Sequence, residues 1–291
     1  MKFRTGLVPA ALLALGLACA SADASAITSQ ALYAIGADAD GVGRALTPID
    51  PAGTATNLGD GSLAFSGLAF LANTGRAYTV GNDSFGNSFL TSFLPSAPAT
   101  LAPTIALGSG FNGGLAAKNS QLYAIGSDSF GASSLYSVST TTGASALGSL
   151  GSGFYGGLTY SSSTSAFYAI GGDDAGVQRR FSRIDLSGGT PTVTTLFDLG
   201  DGSLGFQGGL AYDAAAGRFV TIANDTFGAS SLYGFSLAGA TSLADLGHPL
   251  GNGFNNAGLA FLAAPVPEAP FGLLFAFGVP VLMFFGRRAA R

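Results

Sequence analysis

The sequence predicts an all-β fold, and within that class a five-bladed β-propeller. Five related units open at Ala31 (ALYAIG), Arg76 (RAYTVG), Gln121 (QLYAIG), Ala166 (AFYAIG) and Arg218 (RFVTIA). The first four starts are 45 residues apart and the fifth follows after 52. A fixed period of this length marks a repeat architecture. Each unit also holds four short strand segments, the content of one propeller blade. Finally, the ends of the array complement each other: the first unit lacks a GLAF segment ahead of its LYAIG, and the last ends on an unpartnered GLAF at Gly258–Phe261.

The third unit illustrates the element assignment. Leu122–Gly126 reads as one strand, Ser134–Ser139 as a second, Ala144–Leu150 as a third after a Thr142-Gly143 turn, and Gly157–Tyr160 as a fourth. Alternating aromatic and β-branched residues between Gly, Asp and Ser clusters support strands. No window outside the termini sustains a helical period. The extra residues of the fourth unit lie around Gly188–Thr195. If the ring closes, the terminal GLAF becomes the innermost strand of the first blade and removes the sheet edges an open array would expose. The alternative, a β-solenoid, has much shorter rungs.

Composition agrees with a packed β domain. The chain has 291 residues, 45 of them Gly and only 10% charged, yet 23 Phe and 9 Tyr are spread along it. A disordered chain of this polarity would lack that regular aromatic content. Formal net charge is −4, and residues 31 to 264 carry seven Lys/Arg against fourteen Asp. Such a domain repels phosphate backbones, so no nucleic-acid partner is expected.

Both ends have their own character. Residues 1–26 read as a secretory signal peptide: Lys2 and Arg4, the apolar stretch Gly6–Ala18, then A-x-A options ending at Ala20, Ala24 and Ala26. Cys19, the only cysteine, is either removed with this leader or a lipidation site. Removal leaves the exported domain without a thiol, and so without a disulfide. Residues 265–291 combine an apolar run, Phe271–Phe285, with Arg287, Arg288 and Arg291. As a helix the run would be about 22 Å long, against a hydrocarbon core of about 30 Å. The arginines would stay cytoplasmic and leave the preceding domain outside, which gives a transmembrane helix and a membrane association.

This tail resembles the PEP-CTERM sorting signal of Gram-negative bacteria: Val266-Pro267-Glu268, a short apolar helix, then the arginine cluster at Arg287 and Arg288. Ala269 stands where that motif has its second proline, with Pro270 one place later. The resemblance implies processing by an exosortase, residence at the cell surface or beyond it, and a link to exopolysaccharide. An ordinary permanent tail anchor is the alternative.

Between the ends lies the expected propeller, residues 27–264, with units 31–75, 76–120, 121–165, 166–217 and 218–264. Its most regular polar feature is an aspartate two residues past each LYAIG-type strand: Asp38, Asp83, Asp128, Asp173 and Asp225. A glycine follows three residues later in every copy. An Asx-turn closed by a left-handed glycine accounts for the pattern. In blade topology these turns are B–C loops. They share one face of the disc with the D–A connections, which carry Phe111, Phe154 and Phe254 in Gly-x-Gly-Phe strings, and Phe65 and Phe206 in the remaining units. The aspartates and phenylalanines are therefore candidate ligand contacts, with turn closure and blade packing as the alternative roles. Five equivalent clefts would make a multivalent polysaccharide binder.

The units fall into two classes. Units two, three and five carry Asp-x-Phe-Gly (Phe85, Phe130, Phe227). Units one and four have acidic turns (Asp38 with Asp40, Asp173 with Asp174) and share the string LGDGSL, with Asp60 and Asp201. Asp40, Asp60, Asp174 and Asp201 are the candidate calcium ligands; no other cofactor is expected. The sequence points away from catalysis. His248 is the only histidine, Glu268 belongs to the tail, and the repeated acids are equivalent, whereas a catalytic pair needs two distinct environments. Arg179, Arg180 and Arg183 read as a solvated strand edge. The expectation is thus an exported, non-catalytic surface or matrix protein, with a polysaccharide hydrolase or lyase as the alternative.

Overall fold

The structure is a computed structural model and describes residues 30–263 except 154, 155, 187 and 256. The expected leader, the sorting motif Val266, Pro267, Glu268, Arg287 and Arg288, and Phe154 lie outside the described residues.

Among the described residues, twenty strands form five four-stranded antiparallel sheets. Blade 1 contains β1 (Gln30–Ala37), β2 (Gly43–Asp50) and β3 (Thr56–Asn57). Blade 2 is β4 (Ala64–Leu71), β5 (Arg76–Asn82), β6 (Asn87–Phe93) and β7 (Ile105–Ser109). Blade 3 is β8 (Leu115–Lys118), β9 (Gln121–Ser127), β10 (Ala132–Ser139) and β11 (Gly143–Ser152). Blade 4 is β12 (Gly157–Ser161), β13 (Ala166–Gly172), β14 (Gln178–Asp185) and β15 (Thr192–Asp198). Blade 5 is β16 (Leu210–Asp213), β17 (Arg218–Asn224), β18 (Ala229–Phe235) and β19 (Ala244–Asn252). The last strand, β20 (Gly258–Ala263), returns to blade 1 and pairs with β1 from Gln30↔Ala263 to Ile35↔Gly258. The closure expected from the unpartnered GLAF is therefore present.

Each blade is thus offset by one strand from its sequence repeat. The innermost strand comes from the tail of the preceding unit, so every unit contributes to two blades.

The core is divided among the five blade interfaces. Leu32, Ala34 and Ile49 of blade 1 meet Ala211, Val220 and Ile222 of blade 5. Ile35 and Leu46, on the other side of blade 1, meet Leu68, Ala77 and Phe93 of blade 2. Equivalent clusters join blades 2 and 3, 3 and 4, and 4 and 5. Because neighbours cover both faces of a sheet, the second strand of a blade is buried along nearly its whole length, as in β13 and β17. The 4–5 interface is the most aromatic: Phe181 packs against Tyr168, Phe219 and Phe235 with centroids 4.9 to 5.3 Å apart.

Around the axis, small residues are required rather than merely tolerated. A Cβ on Gly114 would fall 2.0 Å from the Leu158 nitrogen, and one on Gly157 2.7 Å from the Leu210 nitrogen. Gly67, Gly209 and Gly258 make the same kind of approach to Leu115, Leu259 and the Gly67–Leu68 backbone. Five glycines, one per blade, each face the next blade and form a waist in the channel. On either side the channel opens into a cavity, one lined by amides and hydroxyls and the other by apolar and tyrosine side chains.

Candidate functional site

All five repeated aspartates build the same turn. One carboxylate oxygen, Oδ1, accepts the backbone N–H groups two and four residues on. For Asp83 these are Phe85 and Asn87, at 2.9 and 2.8 Å. Asp38, Asp128, Asp173 and Asp225 repeat the pattern. The glycine three residues on sits at φ of +80 to +83° in every copy, in the left-handed region that lets a three-residue hairpin loop close. Half of each carboxylate is thus committed to the backbone.

The other oxygen separates the two classes of unit. In units one and four it is taken by an arginine six residues downstream: Arg44 pairs with Asp38 and Arg179 with Asp173. Both aspartates are held below the ordinary carboxylate value by these guanidinium hydrogen bonds. Arg179 also donates to the Gly200 carbonyl at 3.0 Å, tying the turn to the LGDGSL connection. In unit two the Asn87 amide donates to the second oxygen of Asp83 at 2.9 Å and lowers its pKa. Among the described residues, no side chain bonds the second oxygen of Asp128 or Asp225.

The candidate calcium ligands are used differently. Asp174 pairs with Arg180 at 2.9 Å, and Asp40 lies 3.6 Å from Arg44. The Oδ1 of Asp60 accepts the Ser62 N–H, and that of Asp201 the Ser203 N–H, in turns of their own. Among the described residues, no three acidic, histidine or cysteine side chains converge. The arginines of unit four are likewise engaged. Arg180 also reaches Asp198 and Arg183 reaches Asp185, so the basic cluster expected at a solvated strand edge is neutralised within its blade.

Two of the ring candidates lie inside. Phe111 and Phe254 are 4% and 7% exposed. Phe254 fills the space over Gly36, Phe65 the space over Gly81, and Phe111 that over Gly126. In units one, two and three the glycine ending the LYAIG-type strand is thus a socket for the phenylalanine of an adjoining connection. At these positions the rings are packed within the fold. Among the described residues the fully exposed phenylalanine rings are Phe85, Phe130 and Phe227, at 89%, 93% and 91%, each on the tip of an aspartate turn.

The turns and connections do share one face, as the topology requires. The Ser127 N–H donates to the Gly110 carbonyl at 2.9 Å, and the Ala37 N–H to that of Gly253 at 2.7 Å. This face opens into a cavity of about 930 Å³ bordered by blades 2, 3 and 4 and by the connection leading into blade 5, within the range of about 300–1,000 Å³ typical of small-molecule sites. Asn112, Asp128, Ser129, Tyr136, Gln178 and Gln207 supply its side-chain chemistry, with glycine backbone between them.

Of these, only Asp128 is a residue singled out from the sequence. Gln178 was legible as a break in the repeat. Units two, three and five have buried Ser88, Ser133 and Ser230 at this position, bonded to Asn82, Ser127 and Asn224 respectively. Unit four replaces the pair by Gly172 and Gln178. The Gln178 Oε1 is buried without a hydrogen-bond partner, an arrangement that costs about 1–3 kcal/mol.

No protein-family model matches the chain, and no curated protein matches it. Solved structures do share the fold. One from the nidogen/laminin complex is 13% identical with a TM-score of 0.51, over 80% of this chain and 98% of that one. TolB from Acinetobacter baumannii is 12% identical with a TM-score of 0.52, over 81% of this chain and 67% of that one. Both likenesses concern the propeller architecture.

Proposed function

We propose that the protein is an exported surface or matrix propeller that binds polysaccharide without cleaving it, on the face carrying the aspartate turns. The observation that carries this reading is topological. Gln30 and Ala263 pair at one end of blade 1, so both chain ends leave the disc on the same side. The aspartate turns, the exposed phenylalanines and the larger cavity lie on the other side. A propeller held by its C-terminal segment therefore directs that face away from the membrane, toward external ligands. The tail's resemblance to a PEP-CTERM signal supports export, an exosortase as processing partner, and polysaccharide as the ligand class.

Binding is favoured over hydrolysis by the carboxylate count. Among the described residues the cavity is lined by a single carboxylate, Asp128, half committed to its turn. Glycoside hydrolysis ordinarily needs a facing pair. The clefts are also less equivalent than the repeat suggests, since arginine occupies the turns of units one and four. The reading thus centres on one cavity rather than five sites.

The test combines location and retention. Intact cells producing the full chain with Phe130→Cys are treated with a membrane-impermeant maleimide, and the purified mature protein is titrated with cell-surface polysaccharide. Labelling with saturable binding and no release of reducing ends supports the proposal. Absence of labelling, absence of binding, or progressive depolymerisation contradicts it.

A further inference from the structure

Resting on the binding reading above, we infer that the cavity bordered by blades 2, 3 and 4 and the connection into blade 5 is a site for uncharged sugar units, read by the carboxamides of Gln178, Asn112 and Gln207. Three independent features of the cavity point there.

The first is its charge. Among the described residues its lining has no Lys, Arg or His, so an anionic ligand finds no counter-charge, and a cationic one finds only the single carboxylate of Asp128. The second is its donor set. Each carboxamide presents a donor and an acceptor side by side, which matches a hydroxyl pair that also gives one proton and accepts another. Asn112 and Gln207 occupy the same repeat position, directly after the buried phenylalanines Phe111 and Phe206. They reach the cavity from the two connections that flank the one carrying Gly156.

The third feature is the broken repeat. Wherever the rest of the ring has a buried serine it bonds within the blade, but Gln178 faces Gly172, which offers no side chain. Its amide is not locked by the protein, and a half-turn exchanges its oxygen and nitrogen ends. A local rule broken at a cavity, without compensation inside the fold, marks a functional position. Oε1 is enclosed as placed, so that half-turn is what presents it to an occupant.

The size of the cavity admits more than one sugar ring, and its open side lets a chain continue past it. Ser129 and Asp128 at the rim belong to the turn whose tip carries Phe130, so a ring face stands close in sequence to the polar contacts. The site therefore suits an internal stretch of a neutral polymer rather than a charged terminus.

The experiment uses the mature protein with four probes: dextran, laminarin and mannan oligosaccharides as neutral ligands, and alginate oligosaccharides as the anionic one. Affinities are measured by calorimetry for the native protein, Gln178→Glu, Asn112→Ala and Gln207→Ala, with thermal unfolding as a check on each variant. Saturable binding of a neutral probe, at least 10-fold weaker in Gln178→Glu and in either of the other two variants, with alginate not bound, is the expected result. Unchanged affinity in folded variants overturns this site while leaving polysaccharide binding in place. Preference for alginate overturns the neutral-sugar assignment alone. If Gln178→Glu fails to fold, Asn112→Ala and Gln207→Ala decide by the same criterion. No binding of any polysaccharide overturns both this inference and the function it rests on.

Discussion

Gly114 and Leu158 belong to neighbouring blades, and their backbones approach so closely that a Cβ on the glycine would fall 2.0 Å from the leucine nitrogen. Backbone meets backbone there, so no side-chain rotation relieves the clash. Gly114→Ala and Gly157→Ala are expected to lose more than about 3 kcal/mol of stability, the upper end of overpacking costs. Gly86→Ala is the control: its Cβ would meet nothing within 4 Å, and only the left-handed backbone resists it. That costs about 1–2 kcal/mol. Urea unfolding of the three variants checks the ranking.

Phenylalanines on this protein separate cleanly by role. Phe111→Ala empties the socket over Gly126 and is expected to cost about 3–5 kcal/mol, as for other buried aromatic truncations. Phe130→Ala removes a ring that touches water and should change stability by less than about 0.5 kcal/mol. A loss of stability in Phe130→Ala comparable to that of Phe111→Ala, read from thermal melts, would place the exposed ring in the core after all.

The aspartate turns yield a test in one atom. Asp225 uses Oδ1 to accept the Phe227 and Ala229 N–H groups at 2.8 and 2.9 Å. Asn keeps such an oxygen, so Asp225→Asn is expected to be nearly silent. Asp225→Ala leaves two N–H groups without their acceptor and should cost about 1–3 kcal/mol. Equal destabilisation by both would show that the charge, not the acceptor geometry, closes the turn.

Acid stability follows from the paired aspartates. Arg44 and Arg179 hold Asp38 and Asp173 below the ordinary value of 3.8. The unfolded chain therefore binds these protons first as pH falls. The stability they supply is complete above about pH 4–5 and is lost as pH drops through their folded values. Arg44→Gln removes one partner, so the acid-unfolding midpoint is expected to move to higher pH. A midpoint unmoved in both Arg44→Gln and Arg179→Gln contradicts the assignment.

Much of this architecture was legible because repetition multiplies weak signals. The LYAIG and GLAF segments are short, but five copies in register fix both the strands and the closing partner of β1. The aspartate turn was legible for the same reason. What repetition hid was the fate of the phenylalanines, because the connection rings, such as Phe254 over Gly36, and the exposed turn rings, such as Phe85, both recur from unit to unit. The role of Arg44 and Arg179 was encoded in a six-residue spacing from aspartate, present in two units only. Gln178 was hidden differently. It matters because it departs from its equivalents, and a search for what repeats passes over what does not.

The central claim is that the face with the aspartate turns meets polysaccharide. Hydrogen–deuterium exchange of the mature protein, with and without a saturating polysaccharide, tests it most directly. Protection is expected in the turn at 128–131 and the connections at 110–113 and 205–208, with the hairpins at 72–75, 162–165 and 214–217 unchanged. Protection confined to those hairpins, which lie on the side where the chain enters and leaves, would contradict it.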